Sequence, residues 1–268
     1  MSQLNSEDYP DSEYQETLEY LSIFTGILLF EFAREQLDVR ETVIRNFISR
    51  ADSMSKSIFQ LWSMKNYHDC WILFRCLLER LFHLHHLNTQ NEFELFEEWS
   101  FFQQQSYINK VRSSPEFDSK TLGKEFSLSE EDKKRVKELA QNPPKWQRPN
   151  AEKVAKALDM RFLYTVGYDF ASTHVHPMAS DGFEDFFNIT GVEPAPNFPN
   201  QKLVLSNTLL VYTMVIQEGL DSGNFQWGAV IYDLLGDFRN SLKRQADYKP
   251  NFLKVVKLSE EKIPLCKR

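Results

Sequence analysis

Hydrophobic positions recur at helical spacing through most of the first half of the chain. In the first such segment Leu18, Leu21 and Leu28 fall on one side of a helix, because residues three, four or seven positions apart share a helix face. Further stripes of the same kind follow after joins of only a few residues. The first four predicted helices cover residues 13–37, 39–64, 66–88 and 90–111. Short joins place successive helices antiparallel, so the pattern predicts an all-α, multi-helix up-down bundle.

The helical pattern is interrupted between residues 113 and 150. The first part of this segment is polar, contains Pro115 and Gly123, and shows no period, which predicts a linker. Ser129 then begins a helix with charges of both signs, which is typical of a solvated helix. A basic turn with one aromatic residue, Trp146, follows. We therefore predict that residues 113–150 form an insert in the bundle.

Helical spacing returns after the insert. Asn150 is predicted to cap the next helix, and Pro177 ends the one after it, because proline disfavours a helical conformation in the residue before it. The remaining helices are predicted over residues 151–158, 160–176, 202–220 and 225–245. Between them, residues 178–201 are predicted to form a long loop, and loops of this length often act as lids or binding loops.

These elements divide the 268 residues into three parts. Residues 1–12 are predicted to be a flexible N-terminus. Residues 13–246 are predicted to be a single helical-bundle domain that includes the insert, and residues 247–268 a C-terminal tail. A chain of this length can form one large domain.

Composition and charge narrow the classes of function. The formal net charge is −7, so no global basic field attracts nucleic acid, although a local basic groove stays open. The 22 Phe and only 9 Gly favour aromatic packing between helices over a β-sandwich or a sheet with glycine-rich turns.

Three observations predict a cytoplasmic protein that does not associate with membranes. The acidic, polar N-terminus argues against a signal peptide. The longest apolar run, from Ile23 to Phe32, is interrupted and falls short of the roughly 20 residues that span a bilayer. Cys70, Cys76 and Cys266 have neither disulfide nor zinc spacing, which is usual in a reducing compartment.

The first candidate site is a polar line on the helix over residues 66–88. His68, Arg75, Glu79 and His86 fall within roughly 40° of one another on a helical wheel. Large hydrophobic residues surround them, so we expect Arg75 and Glu79 to be buried and paired. The pair has a structural interpretation, in which it fixes the helix register, and a functional one, in which it belongs to a site.

A second polar line lies on the helix that Pro177 ends. Tyr168, Ser172 and His176 are spaced four residues apart and share a helix face. A carboxylate and an arginine beside a histidine, a tyrosine and a serine are the groups of an acid–base or phosphate-binding site. Tyr168 and Ser172 have an alternative role in hydrogen bonds between helices.

Metal and cofactor chemistry receive little support from the sequence. Glu79, His83 and His86 share one broad helix face, but the familiar spacings of metal-binding helices are missing. There is no glycine-rich phosphate loop, no dinucleotide fingerprint and no nucleophile elbow. We therefore predict no metal and no cofactor.

Two segments together resemble a bacterial family of helical domains of unknown function. The family has an Arg-x-x-x-Glu helix, matched by Arg75 and Glu79, and a later Tyr/Ser/His-Pro helix, matched by Tyr168, Ser172 and His176. The resemblance covers roughly residues 47–180. It brings no assigned reaction with it.

More distantly, the bundle resembles the HEPN superfamily, whose active members are metal-independent ribonucleases of toxin–antitoxin and antiphage systems. Their signature is an arginine followed by four to six residues and a histidine; here Arg80 precedes His85 and His86 at that spacing. This resemblance implies a homodimer, an RNA or nucleotide ligand and a partner protein from the same operon.

Two classes of function follow as hypotheses. In the first, the protein is a ribonuclease or phosphodiesterase effector: Arg75 stabilises phosphate charge, Glu79 orients it, and His176 is the general acid/base, helped by Tyr168. His68, Ser172 and His86 would contact the ligand. In the second, it is a non-catalytic helical sensor or interaction module that binds a small anionic ligand.

Overall fold

The computed structural model describes residues 11–33, 37–116, 128–176, 179, 182–192, 202–221 and 228–262. Within these ranges the chain is helical and has no strand, so the predicted all-α class is confirmed. The helices are α1 (Asp11–Phe32), α2 (Val39–Ser63), α3 (Tyr67–Gln90), α4 (Phe93–Arg112), α5 (Glu130–Gln141), α6 (Ala151–Ala157), α7 (Arg161–Tyr164), a π-helix (Thr165–Phe170), α8 (Ala171–Val175), α9 (Phe183–Thr190), α10 (Lys202–Asp221), α11 (Gly228–Ser241) and α12 (Lys249–Lys262).

Side-chain caps determine where several helices begin. Asp38 accepts a hydrogen bond from the backbone N–H of Glu41, whose carboxylate accepts one from the N–H of Asp38, and this capping box starts α2. Ser129 and Asn150 cap α5 and α6 through their side-chain oxygens, as predicted. Asn66 precedes α3 without capping it.

The centre of the core is formed by α2, α3 and α10, and α1 packs against α2 and α10. The helix α10 is long and apolar enough to span a membrane, with a mean hydropathy of 1.3 over its most apolar window, but 61% of that window is buried inside the protein. Leu205, Tyr212 and Ile216 of this helix are almost completely buried. Such a sequence is therefore explained by its place in the core of the bundle.

One polar network crosses this core. Tyr212 of α10 donates a hydrogen bond to Asp52 of α2 over 2.9 Å, and its hydroxyl lies 2.6 Å from that of Thr25 in α1. Ser22 and Lys56 donate to the same carboxylate. Because each polar group has a partner, the network joins three helices without leaving a buried charge unpaired.

Two helices lie where the sequence pattern predicted none. α9 lies within the predicted loop over residues 178–201. α12 lies in the predicted tail beyond residue 247, where Tyr248, Phe252 and Val255 are buried against α1 and α11. These apolar residues have a partner surface only in the folded bundle, which is why a tail was the wrong interpretation. Residues 1–10 lie outside the described part.

The predicted helix over residues 160–176 has a π-helix in its middle. Gly167 within it packs so closely on α3 that a Cβ atom there would lie 2.4 Å from Cε1 of Phe74. The glycine therefore leaves room for the side chains of Phe74 and Leu78 against the π-helix. A π-helical segment is uncommon and frequently occurs at functional sites.

Candidate functional site

The predicted pair on α3 forms, but it is only partly buried. Nη2 of Arg75 lies 3.2 Å from Oε1 of Glu79, and the two side chains remain 21% and 32% exposed. The one-turn spacing of a helix brings the groups together. Full burial, which we expected from the surrounding hydrophobic residues, does not occur.

Tyr168 of the π-helix meets Arg75 as the two polar lines predicted. The guanidinium carbon lies 4.7 Å from the tyrosine ring centroid, a cation–π distance, and Nη2 lies 3.5 Å from the hydroxyl. The ring also stacks on Tyr164, with centroids 5.3 Å apart. Nε of Arg75 is buried without a hydrogen-bond partner, so the Tyr168 ring covers a guanidinium whose hydrogen bonds are not all satisfied.

The other two members of the second polar line do not reach Arg75 or Glu79. The hydroxyl of Ser172 donates to the backbone carbonyl of Tyr168. The ring of Phe170 lies 5.9 Å from that of Trp71, so the chain after Tyr168 runs toward the N-terminal end of α3. His176 follows at an exposed position at the end of α8. Its predicted catalytic role stays a prediction.

The two histidines of the first polar line lie at opposite ends of α3. His68 is half-buried in the first turn. Nε2 of His86 lies 3.5 Å from a carboxylate oxygen of Glu92, and its ring lies 6.5 Å from that of Trp146. The residues of the first polar line therefore contact different neighbours. The ligand-binding roles predicted for His68, His86 and Ser172 stay predictions.

A cleft of about 610 Å³ opens beside this line, between α2, α3 and α4. Glu79 pairs with Arg75 and also lines the cleft, so the cleft continues along the same face of α3. Its charged and imidazole groups are Glu79, Arg80, His83, Glu97 and Arg148. The sequence offered only partial signals for it, the Arg80–histidine spacing and the basic turn, because its walls come from three helices and a loop.

Both carboxylates of the cleft are already paired with arginines that do not line it. Glu79 pairs with Arg75, and Glu97 accepts two hydrogen bonds from Arg135 of α5. The hydrogen bond that Arg135 donates to Glu97 raises the pKa of Arg135. Each carboxylate therefore has its ion-pair partner outside the cleft, and the charge of Glu79 also acts on Arg80 by opposing the lowering of its pKa by burial.

The two arginines of the cleft have no carboxylate partner among the residues that the structure describes. Arg80 donates from Nε to the sulfur of Met54 over 3.1 Å, and its guanidinium carbon lies 5.9 Å from the ring centroid of Phe47. Burial lowers the pKa of Arg80, and the nearby Arg50 adds to this effect. Arg148 is exposed. The cleft therefore contains two guanidinium groups without an ion-pair partner in the described part of the chain.

His83 contributes a neutral imidazole with a defined tautomer. Its Nδ1 lies 2.6 Å from the backbone oxygen of Glu79. Burial lowers the pKa of His83 below its usual value of 6.5, so the ring is neutral at pH 7. A carbonyl oxygen only accepts hydrogen bonds, so Nδ1 carries the proton and Nε2 has the lone pair.

Trp146 anchors the loop that carries Arg148. The indole is 4% exposed, and ring centroids of Phe96, Trp99 and His83 lie 4.8, 4.9 and 5.6 Å from it. Arg148 follows two residues later and lines the cleft. Burial of Trp146 against α3 and α4 therefore fixes the position of this arginine.

Metal and thiol chemistry gain no support from these groups. Within the described ranges no group of three or more His, Cys, Asp or Glu residues is arranged to hold a metal ion. Burial raises the pKa of the Cys76 thiol at the cleft wall, which keeps it in the protonated, weakly nucleophilic form.

Comparison with known proteins gives one match. The model of a family of unknown function, DUF5677, matches residues 41–191, which is more than half of the chain and runs from α2 past α9. No curated protein and no solved structure matches significantly.

Proposed function

The chain belongs to the DUF5677 family, whose function is unknown, and we propose from the geometry of its cleft that the protein binds a small phosphate-bearing anion. Arg80 and Arg148 would receive the phosphate group. Of the two hypotheses from the sequence, this is the non-catalytic one, in which the protein binds a small anionic ligand. The proposed binding site is now the cleft and not the neighbouring pair of Arg75 and Glu79.

The observation that carries the proposal is the unequal pairing of charges. Glu79 and Glu97 each have an arginine partner outside the cleft, whereas Arg80 and Arg148 have no acidic partner in the described part of the chain. A partly buried guanidinium without a counter-ion is costly, and a phosphate matches its fork of N–H donors.

The size and walls of the cleft fit a nucleotide. Its volume of about 610 Å³ lies in the range of small-molecule sites, which are mainly apolar with a few placed polar groups. Phe47, Phe96 and Phe101 form apolar walls, and Asn46 and other polar groups lie between them. An aromatic base would stack on the phenylalanine rings, and the phosphate would bind to the two arginines.

A second candidate is metal-independent cleavage of RNA or another phosphodiester. The specific observation in its favour is a neutral imidazole, His83, in the same cleft as Arg80 and Arg148. The version predicted from the sequence uses Arg75, Glu79, Tyr168 and His176, and requires His176 to move from its exposed position. A role in antiphage defence or a toxin–antitoxin system, a homodimer, an operon partner and a cytoplasmic location rest on the sequence-based expectations given above.

Isothermal titration calorimetry with inorganic phosphate and with adenosine monophosphate tests the first candidate. We expect Arg148→Ala to weaken binding about tenfold, because it removes a charge-assisted hydrogen bond. Lys145→Ala is the matched control, since it removes the same charge from the same loop but lies outside the cleft lining. Equal affinities of the two variants would contradict the proposal. Arg80→Met repeats the test from α3, with thermal melting as the check on folding.

Incubation of the purified protein with labelled single-stranded RNA tests the second candidate. Cleavage lost in His83→Gln but kept in His176→Ala would assign it to the cleft. Cleavage lost in both Arg75→Ala and His176→Ala, with unchanged melting temperatures, would assign it to the residues predicted from the sequence. An RNA that stays intact with the wild-type protein leaves binding as the function.

A further inference from the structure

One ring nitrogen of His83 is free to contact a ligand. Nδ1 is held by the backbone oxygen of Glu79, one helical turn earlier. The side chain lines the cleft, and Nε2 is the ring nitrogen farther from the backbone. Since the ring is neutral and Nδ1 carries its proton, Nε2 is a hydrogen-bond acceptor.

Besides Nε2 of His83, the hydroxyl and amide oxygens of Thr42, Asn46, Ser100 and Gln104 line the cleft as acceptors, but His83 is the one of these that lies on the same helix as Arg80. Glu97 accepts hydrogen bonds from Arg135, and Oε1 of Glu79 forms an ion pair with Arg75. The guanidinium groups of the cleft only donate. A ligand that only accepts, such as a fully ionised phosphate monoester without hydroxyl groups, would therefore satisfy the arginines and leave Nε2 of His83 without a partner.

We propose that Nε2 of His83 accepts a hydrogen bond from a hydroxyl group of the ligand, so that the cleft selects phosphorylated sugars, as in a ribonucleoside monophosphate, over phosphates without hydroxyl groups. This inference rests on the proposed phosphate site. His83 is in this role a specificity-determining residue that touches the ligand.

Helix geometry gives the reason for a hydroxyl close to the phosphate. Arg80 and His83 are three residues apart on α3, so they are neighbours on its surface, with Cβ atoms about 5–6 Å apart. A phosphate held by Arg80 places the adjoining sugar beside His83. In a sugar phosphate the hydroxyl groups lie a few bonds from the phosphorus atom, so one ligand can contact both side chains.

Two substitutions separate the functions of the two ring nitrogens. In His83→Asn the amide nitrogen takes the position of Nδ1 and can keep the hydrogen bond to Glu79, but no atom replaces Nε2. In His83→Gln the amide oxygen takes the position of Nε2 and keeps an acceptor in the cleft. Both side chains are uncharged and of similar size, so the pair is matched for charge and volume.

The experiment is calorimetry on the full chain at pH 8 with adenosine monophosphate and its 2′,3′-dideoxy analogue, which share charge and base. We expect the wild-type protein and His83→Gln to prefer the hydroxyl-bearing nucleotide by about tenfold, the effect of one hydrogen bond in a partly desolvated site. We expect His83→Asn to bind both equally. Ribose 5-phosphate and a short oligoribonucleotide are titrated in the same way. If the oligonucleotide binds more tightly than ribose 5-phosphate, a free sugar phosphate is not the ligand.

Failure of this inference differs from failure of the proposed site. If neither nucleotide binds, or if Arg148→Ala has no effect, the phosphate site is wrong and this inference falls with it. If Arg148→Ala weakens binding but the wild-type protein does not distinguish the nucleotides, only the role of His83 is overturned. The wild-type comparison decides the matter even if His83→Asn does not fold.

Discussion

The guanidinium carbon of Arg75 lies 4.7 Å from the ring centroid of Tyr168. This contact joins α3 to the π-helix across 93 residues of sequence. It also brings together the two helices that carry the polar lines predicted from the sequence. The guanidinium contacts the ring face at a favourable cation–π distance, whereas its contact with the hydroxyl is at the long limit of a hydrogen bond, and this distinction can be measured.

We expect Tyr168→Phe to change the free energy of unfolding by less than about 0.5 kcal/mol, because the hydroxyl contributes only a long contact of 3.5 Å. Tyr168→Leu should cost about 1–2 kcal/mol, since it removes the cation–π contact and the stacking on Tyr164. Urea unfolding of both variants measures the difference. An equal cost for the two would mean that the hydroxyl supports Arg75.

Close packing of the π-helix on α3 makes Gly167 intolerant of a side chain. A Cβ atom there would lie 2.4 Å from Phe74 and 3.3 Å from Leu78, so we expect Gly167→Ala to destabilise the protein by about 1–3 kcal/mol. Gly26→Ala is the control, because Gly26 is exposed within α1 and its Cβ atom would meet nothing within 4 Å. That change should stabilise by about 0.5–1 kcal/mol. Melting temperatures that shift in the same direction would refute the packing argument.

His85 connects α3 to α10 in a pH-dependent way. Its Nδ1 lies 2.9 Å from a carboxylate oxygen of Glu218, and this hydrogen bond raises the pKa of His85 above 6.5. Asn88 donates to the same carboxylate. A raised pKa in the folded state gives stability that is fully present below about pH 6.5 and is lost as the pH rises through the folded-state value.

We therefore expect the wild-type protein to melt at a higher temperature than His85→Gln, and we expect this difference in melting temperature to be larger at pH 5.5 than at pH 8.5. The comparison between variants cancels the effects of other titrating groups. A difference that is constant between the two pH values would contradict the assignment of this pKa shift to the His85–Glu218 contact.

Trp146 should support both stability and ligand binding. We expect Trp146→Ala to cost about 3–5 kcal/mol, because it leaves a cavity between α3 and α4. Trp146→Phe keeps part of the packing and should cost less. If the indole positions Arg148, the affinity for adenosine monophosphate should fall in the order wild type, Phe, Ala, measured by calorimetry below the melting temperature of each variant. An unchanged affinity in Trp146→Ala would separate the loop from the cleft.

Much of the fold could be predicted from the sequence, because amphipathic stripes are a local property. The predicted starts of α2 and α10 agree with the structure, and the caps Ser129 and Asn150 are confirmed. The segment after Asp247 was interpreted wrongly because its apolar residues are few, and their burial depends on α1 and α11 lying nearby. The π-helix was also not predicted, and the close packing of Gly167 on Phe74 within it depends on the approach of two helices.

The candidate site likewise has some features that follow from the sequence and others that only the tertiary structure shows. The sequence by itself determined that Arg75 pairs with Glu79, because one helical turn separates them whatever the rest of the chain does. Only the tertiary structure decided that Tyr168 covers Arg75, that Arg135 neutralises Glu97, and that Arg80 and Arg148 face one cleft. These relationships depend on how the helices rotate and cross. Spacing along the chain fixes the groups on one helix, but it does not specify which other helix they meet.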